Sequence, residues 1–148
     1  MQRPYSASQE RPFYARVVAG GSRLIGHWLH LGQASPDRLA MILADTARIA
    51  KLGEPEQTPD GDTLIAWSEE TAPPRWAART ALFLLVQLPA RPQPADDDEA
   101  CAWAYCWLLN RSFESLEAAG AALPEHLQAP LAPALKAAWQ DHTGRRLI

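Results

Sequence analysis

The sequence predicts a mainly α-helical protein, a single compact domain of five or six helices, and three observations carry that expectation. Apolar residues recur at helical spacing along most of the chain. Alanine, the strongest helix former, supplies 27 of the 148 residues. Most of the 13 prolines stand between the periodic stretches, where they start and stop helices rather than interrupt them. With 47% hydrophobic and 21% charged residues the composition is that of a globular chain, and its length is enough to bury a core. A small β element is admitted near residues 62–67.

Residues 1–12 are polar, contain two prolines and read as a flexible N-terminal arm, leaving 13–148 as the helical domain. Tyr14, Val17, Val18, Leu24, Ile25, Trp28 and Leu31 then fall on one helical stripe. Gly20-Gly21 opposes it, since each glycine costs about 1 kcal/mol in a helix interior. A hairpin turning at Gly20-Gly21 gives the alternative, an α+β fold. The helix is preferred because the stripe keeps its phase across the pair.

Ser35-Pro36-Asp37 marks the next helix, with Ser35 as N-cap and Pro36 in the first turn. Leu39, Ile42, Leu43, Ile49 and Leu52 form its apolar stripe, and Gly53 is the expected C-terminal cap. Glu54–Asp62 reads as an acidic loop with a turn at Asp60-Gly61, and Thr63–Trp67 as a short strand.

Pro73-Pro74 opens a helix from Arg75 to Leu88 whose last turns are apolar on every side, the pattern of a central core element. Pro89–Ala95 is a stiff connector inside the domain. Asp96-Asp97-Asp98-Glu99 opens a helix to about Asn110, with four carboxylates complementing the helix dipole. Ser112–Ala122 is helical, and Pro124–Arg145 is a helical region that Pro130 and Pro133 are expected to break into pieces.

Net charge is −3, unevenly spread: residues 1–52 carry seven basic and three acidic residues, whereas 53–73 carry six acidic and no basic ones. The overall acidity argues against non-specific duplex binding. Twelve of the 14 basic residues are Arg, which with the alanine excess suggests a GC-rich bacterial coding sequence. No signal-peptide run follows the N-terminal arginines, and the apolar stretch Ala81–Val86 is too short to span a bilayer, so a cytoplasmic protein with no membrane partner is expected. Cys101 and Cys106, about 140° apart on a helix, read as two buried thiols rather than a disulfide.

Catalytic patterns are sparse. Ala19-Gly20-Gly21-Ser22 lacks the second glycine of a nucleophile elbow, and the glycines form no dinucleotide fingerprint. The two lysines, Lys51 and Lys136, sit in no phosphate-binding motif. Leu39–Gly53 has the apolar spacing of a helix-turn-helix but no turn after Leu43. His27 and His30, at i, i+3, share one side of a helix and are the weak candidates for a metal site, with no specified third ligand. No catalytic residue and no cofactor is assigned, and the chain reads as a non-enzyme.

Six tryptophans are the informative excess. Trp and Arg dominate binding hot spots, and a Trp-rich, Arg-over-Lys helical chain without catalytic residues reads as a non-catalytic protein-interaction module. An adaptor, an immunity or antitoxin-like inhibitor and a small helical subunit of a larger complex all fit. Trp103, Trp107, Trp28 and Trp139 are the expected partner-binding residues. The partner is another protein, with homo-oligomerisation as a further arrangement. One alternative is an accessory nucleic-acid binder using Arg16, Arg23, Arg38 and Arg48. The other is a small helical metal protein or enzyme centred on His27 and His30.

Overall fold

The computed structural model describes residues 12–147 apart from residue 70, so the arm expected at 1–12 lies outside the described residues except for Pro12, which opens a helix. The described residues form seven helices: α1 (Pro12–Leu31), α2 (Pro36–Ala50), α3 (Gly61–Glu69), α4 (Arg75–Leu85), α5 (Asp97–Asn110), α6 (Leu116–Ala121) and α7 (Glu125–Leu147). The fold is mainly α, and α3 is the helix the sequence did not predict.

The centre of the fold is α5, which packs against α1, α4 and α7; α1 also covers α3 and α4, α2 lies on α3 and α4, and α6 on α7. Its residues are buried around most of the circumference, with Cys101, Trp103, Ala104, Cys106, Trp107 and Leu108 all in the core. The expectation that Arg75–Leu88 is the central element is therefore corrected. That helix ends at Leu85, and Phe83, Leu84 and Val86 are half-exposed.

The glycine pair does not break α1, and the hairpin alternative is overturned. Gly20 is where α1 closes onto the start of α5: a Cβ there would overlap the Asp98 carbonyl and stand 3.0 Å from Ala102 Cβ. Close approach of two helices, not a turn, is what requires glycine at this position.

Ser35 caps α2 as expected, its Oγ accepting from the Arg38 amide at 3.2 Å. The C-terminal cap differs. Lys51, at φ 59°, is the left-handed residue and bonds back to the Ala47 carbonyl. Gly53 instead lies against Trp76, whose Cβ a side chain at 53 would strike. Ile49, expected in the apolar stripe, is 82% exposed. Six residues beyond Leu43 it sits about 240° around the helix, outside the buried row of Leu39, Ala40, Leu43, Ala44 and Ala47.

The β element near 62–67 is corrected to a helix, and Asp60 is the reason. Its carboxylate accepts from the Thr63 amide at 2.8 Å, and its carbonyl from the Leu64 amide at 3.1 Å, which makes it an N-cap rather than a turn residue. That Thr63 bond holds the Asp60 carboxyl below its usual range. A second donor at this helix start, the Gly61 amide, is satisfied from α2 by Asp37 Oδ1 at 2.6 Å. The helix buries Leu64 and sets Trp67 edge-on to Trp76, ring centres 5.8 Å apart.

Pro130 and Pro133 do not divide α7. Proline lacks the N–H that would bond four residues back, so the carbonyls of His126 and Ala129 lose their helical donors. The His126 carbonyl receives Gln93 Nε2 instead, at 3.2 Å, and Ala129 is exposed. A replacement donor from the connector and an exposed flank let the helix continue. At the far end of α5, Arg79 donates to Asn110 Oδ1 at 2.8 Å and to the Leu109 carbonyl at 3.0 Å, while Asn110 Nδ2 donates to the Arg79 carbonyl. Among the described residues no helix is long and apolar enough to cross a membrane.

Candidate functional site

Two places concentrate chemistry, one at each end of α5. At its N-terminal end Asp96 caps the helix, accepting from the Glu99 amide at 2.9 Å. Glu99 is thereby fixed one turn in, on the face turned to α1, where it is only 2% exposed. Its Oε2 lies 2.7 Å from His27 Nδ1 and 2.8 Å from Trp103 Nε1, and its Oε1 accepts from the Ala95 amide at 3.0 Å. A buried carboxylate is tolerable only with such partners, because an unsatisfied one is strongly disfavoured away from water. Beside the cluster Arg23 pairs with Asp96 at the surface.

This cluster corrects the expectation that the Asp96–Glu99 run serves only the helix dipole. Three of the four carboxylates remain outside, and the fourth is a core residue. The signal was present in the spacing: Glu99 lies four residues before Trp103, hence on the face of α5 that the tryptophan buries. His27 reaches Glu99 with its side chain 18% exposed, while His30 is exposed and takes no part. Among the described residues no group of three or more His, Cys, Asp or Glu could hold a metal ion.

Arginines named in the nucleic-acid alternative have separate duties. Arg48 donates to Asp45 at 3.2 Å and ties down the acidic loop through the Pro55 carbonyl at 3.3 Å and Thr58 at 3.4 Å. Arg23 is held by Asp96, and Arg16 lies beside Cys101. Arg38 is exposed at the start of α2. Both thiols are free and buried. Burial raises the Cys101 pKa, against the opposing pull of Arg16, and pushes Cys106 up to about 12.

Trp28, Trp103 and Trp107 are buried, and Trp139 is half-buried beside His142. Three of the six tryptophans are therefore core, Trp67 and Trp76 pack half-buried against it, and Trp107 lines a cavity. Trp107 donates its Nε1 to the Ala119 carbonyl at 3.0 Å and turns its ring to a groove at the C-terminal end of α5. This groove encloses about 410 Å³ between α2, α4, α5 and the link from α6 to α7. Leu52, Leu82, Phe83, Val86 and Trp107 form its apolar lining, and Arg111 stands at its rim. Phe83 and Arg111 are among the lining residues that the sequence did not single out; each lies at a helix end whose position only the fold defines.

Comparisons with protein-family models, with curated proteins and with solved structures return no significant match to this chain. The functional reading therefore rests on the groove and the cluster themselves.

Proposed function

We propose that this chain is a non-catalytic protein-interaction module that docks another protein at the groove between α4 and α5. An adaptor, an inhibitor of the immunity or antitoxin kind and a small subunit of a helical assembly all share this mode. The groove carries the reading. It is concave, apolar in its floor, polar at one rim, and includes a tryptophan and an arginine, the residue types that dominate binding energy at protein interfaces. The polar cluster at the other end of α5 supports it by being turned inward: its carboxylate is occupied by three donors of the chain itself. Two free, buried thiols fit a reducing compartment such as the cytoplasm.

The test is site-specific photo-crosslinking in the host cell, with the crosslinker at position 83 or, as a surface control, at position 49. The expected result is one predominant crosslinked protein from position 83, lost when Val86→Glu is introduced, and none from position 49. Equal capture from both positions overturns the reading.

A further inference from the structure

We infer that the groove takes a peptide segment of the partner that pairs a bulky apolar side chain with a carboxylate, the apolar group seated against Phe83 and Trp107 and the carboxylate held by Arg111. The inference rests on the groove being the partner surface and adds what the partner must present there.

The rim of the groove carries its polar groups. Gln87, Asn110 and Arg111 are the polar lining residues, and none of the lining residues is acidic. Asn110 is engaged on both sides of its amide by Arg79, and Gln87 donates to the Phe83 carbonyl at 2.7 Å. Arg111 remains. None of the ion pairs among the described residues uses it, and its guanidinium carbon lies 5.5 Å from the Trp107 ring centre and 5.8 Å from that of Phe113. Those two rings are themselves stacked, 5.8 Å apart and 24° from parallel. A guanidinium held over aromatic faces is fixed in place, while its N–H edge stays available to a planar acceptor. A carboxylate matches that edge with two parallel hydrogen bonds.

Helix ends oppose this, since α2, α4 and α5 all finish near the groove with partial negative charge. Two of those ends are answered within the chain, the Leu109 carbonyl by Arg79 and the Phe83 carbonyl by Gln87, so the full charge of Arg111 dominates the rim. The volume of about 410 Å³ suits a few side chains rather than a whole helix, which is why the occupant is a short segment.

The experiment is selection of a random 12-residue peptide library on the full chain, followed by fluorescence anisotropy with the enriched peptides. The expected peptides carry Leu, Phe or Trp within one helical turn of Asp or Glu. Val86→Glu abolishes their binding, and Arg111→Glu weakens it by roughly tenfold or more. Replacing the peptide acid by Lys restores binding to Arg111→Glu, a reversal that a purely structural arginine would not give; circular dichroism confirms that both variants fold. Peptides that need the groove but show no acidic preference, or no charge reversal, overturn this inference and leave the proposed function standing. No enrichment, or binding indifferent to Val86→Glu, overturns both. A dimer in light scattering that Val86→Glu dissolves assigns the groove to a second copy and overturns the acidic-peptide inference.

Discussion

Glu99 and His27, 72 positions apart in sequence, meet at 2.7 Å across the contact between α5 and α1. The same carboxylate oxygen holds Trp103 Nε1, so one buried acid links a residue of its own helix to one from the first. Glu99→Ala leaves three donors without an acceptor, those of His27, Trp103 and Ala95. The expected loss is about 3–5 kcal/mol, with Glu99→Gln intermediate because its amide nitrogen faces at least one donor. Urea titration checks this; an Ala variant within 1 kcal/mol of the parent, by the usual mutational scatter, would show that the cluster contributes little to stability.

Gly20 and Gly26 lie on the same helix with opposite surroundings. A methyl group at 20 meets the Asp98 backbone, whereas at 26 the nearest neighbour is Ser68 Cβ at 3.7 Å. Gly26→Ala should stabilise by up to about 1 kcal/mol through helix propensity. Gly20→Ala should destabilise despite the same propensity gain, since α1 and α5 must move apart. Thermal melts of the two variants are expected to shift in opposite directions.

The prolines of α7 make a coupled prediction. Pro130→Ala restores a backbone donor to the His126 carbonyl, which Gln93 otherwise supplies. Gln93→Ala should therefore cost about 1 kcal/mol in the parent and close to nothing beside Pro130→Ala. Pro133→Ala, with no side-chain substitute to displace, should stabilise by about 1–3 kcal/mol. A double-mutant cycle at 93 and 130 measures the first pair, and additivity there would disprove the replacement of one donor by the other.

Cys106 gives a pH dependence. Its pKa rises by burial from an ordinary value of 9.0 to about 12 in the folded protein. Between those values the unfolded thiol has lost its proton and the folded one has kept it, so stability falls as pH rises. The slope from this group is about 1.4 kcal/mol per pH unit, and it is absent below pH 9. Cys106→Ala should flatten the stability profile above pH 9. At pH 8 the native protein should resist thiol labelling at Cys106 and accept it after denaturation.

Legibility followed how local each signal was. Ser35-Pro36-Asp37 announces a helix because cap, proline and first turn are adjacent, and the structure has that helix. The phase of the stripe across Gly20-Gly21 carried α1 because a helix repeats its face for twenty residues. Thr63–Trp67 was too short to show a period, its cap Asp60 stands in an Asp-Gly pair that reads equally as a turn, and the second support of its start, Asp37, comes from another helix. Glu99 was hidden by its position: a carboxylate in a first turn is favourable there anyway, so nothing local distinguishes the three that face water from the one that faces His27. The groove was illegible for a related reason. Its lining comes from three helices and the link between α6 and α7, and Phe83, Trp107 and Pro124 become neighbours only when α5 is in place.

The strap between Leu88 and Asp96 also bears on where the chain can be cut. Gln93 anchors it to the backbone of α7, and Ala95 anchors it to Glu99. On one side of the strap lie α1 to α4, on the other α5 to α7, and the helix that fills the core of the first group belongs to the second. A protease cut within the strap would thus yield two pieces that remain clasped. Made separately, each piece would expose the apolar face the other covers, so the two would regain order only on mixing, as a split protein whose halves report each other's presence.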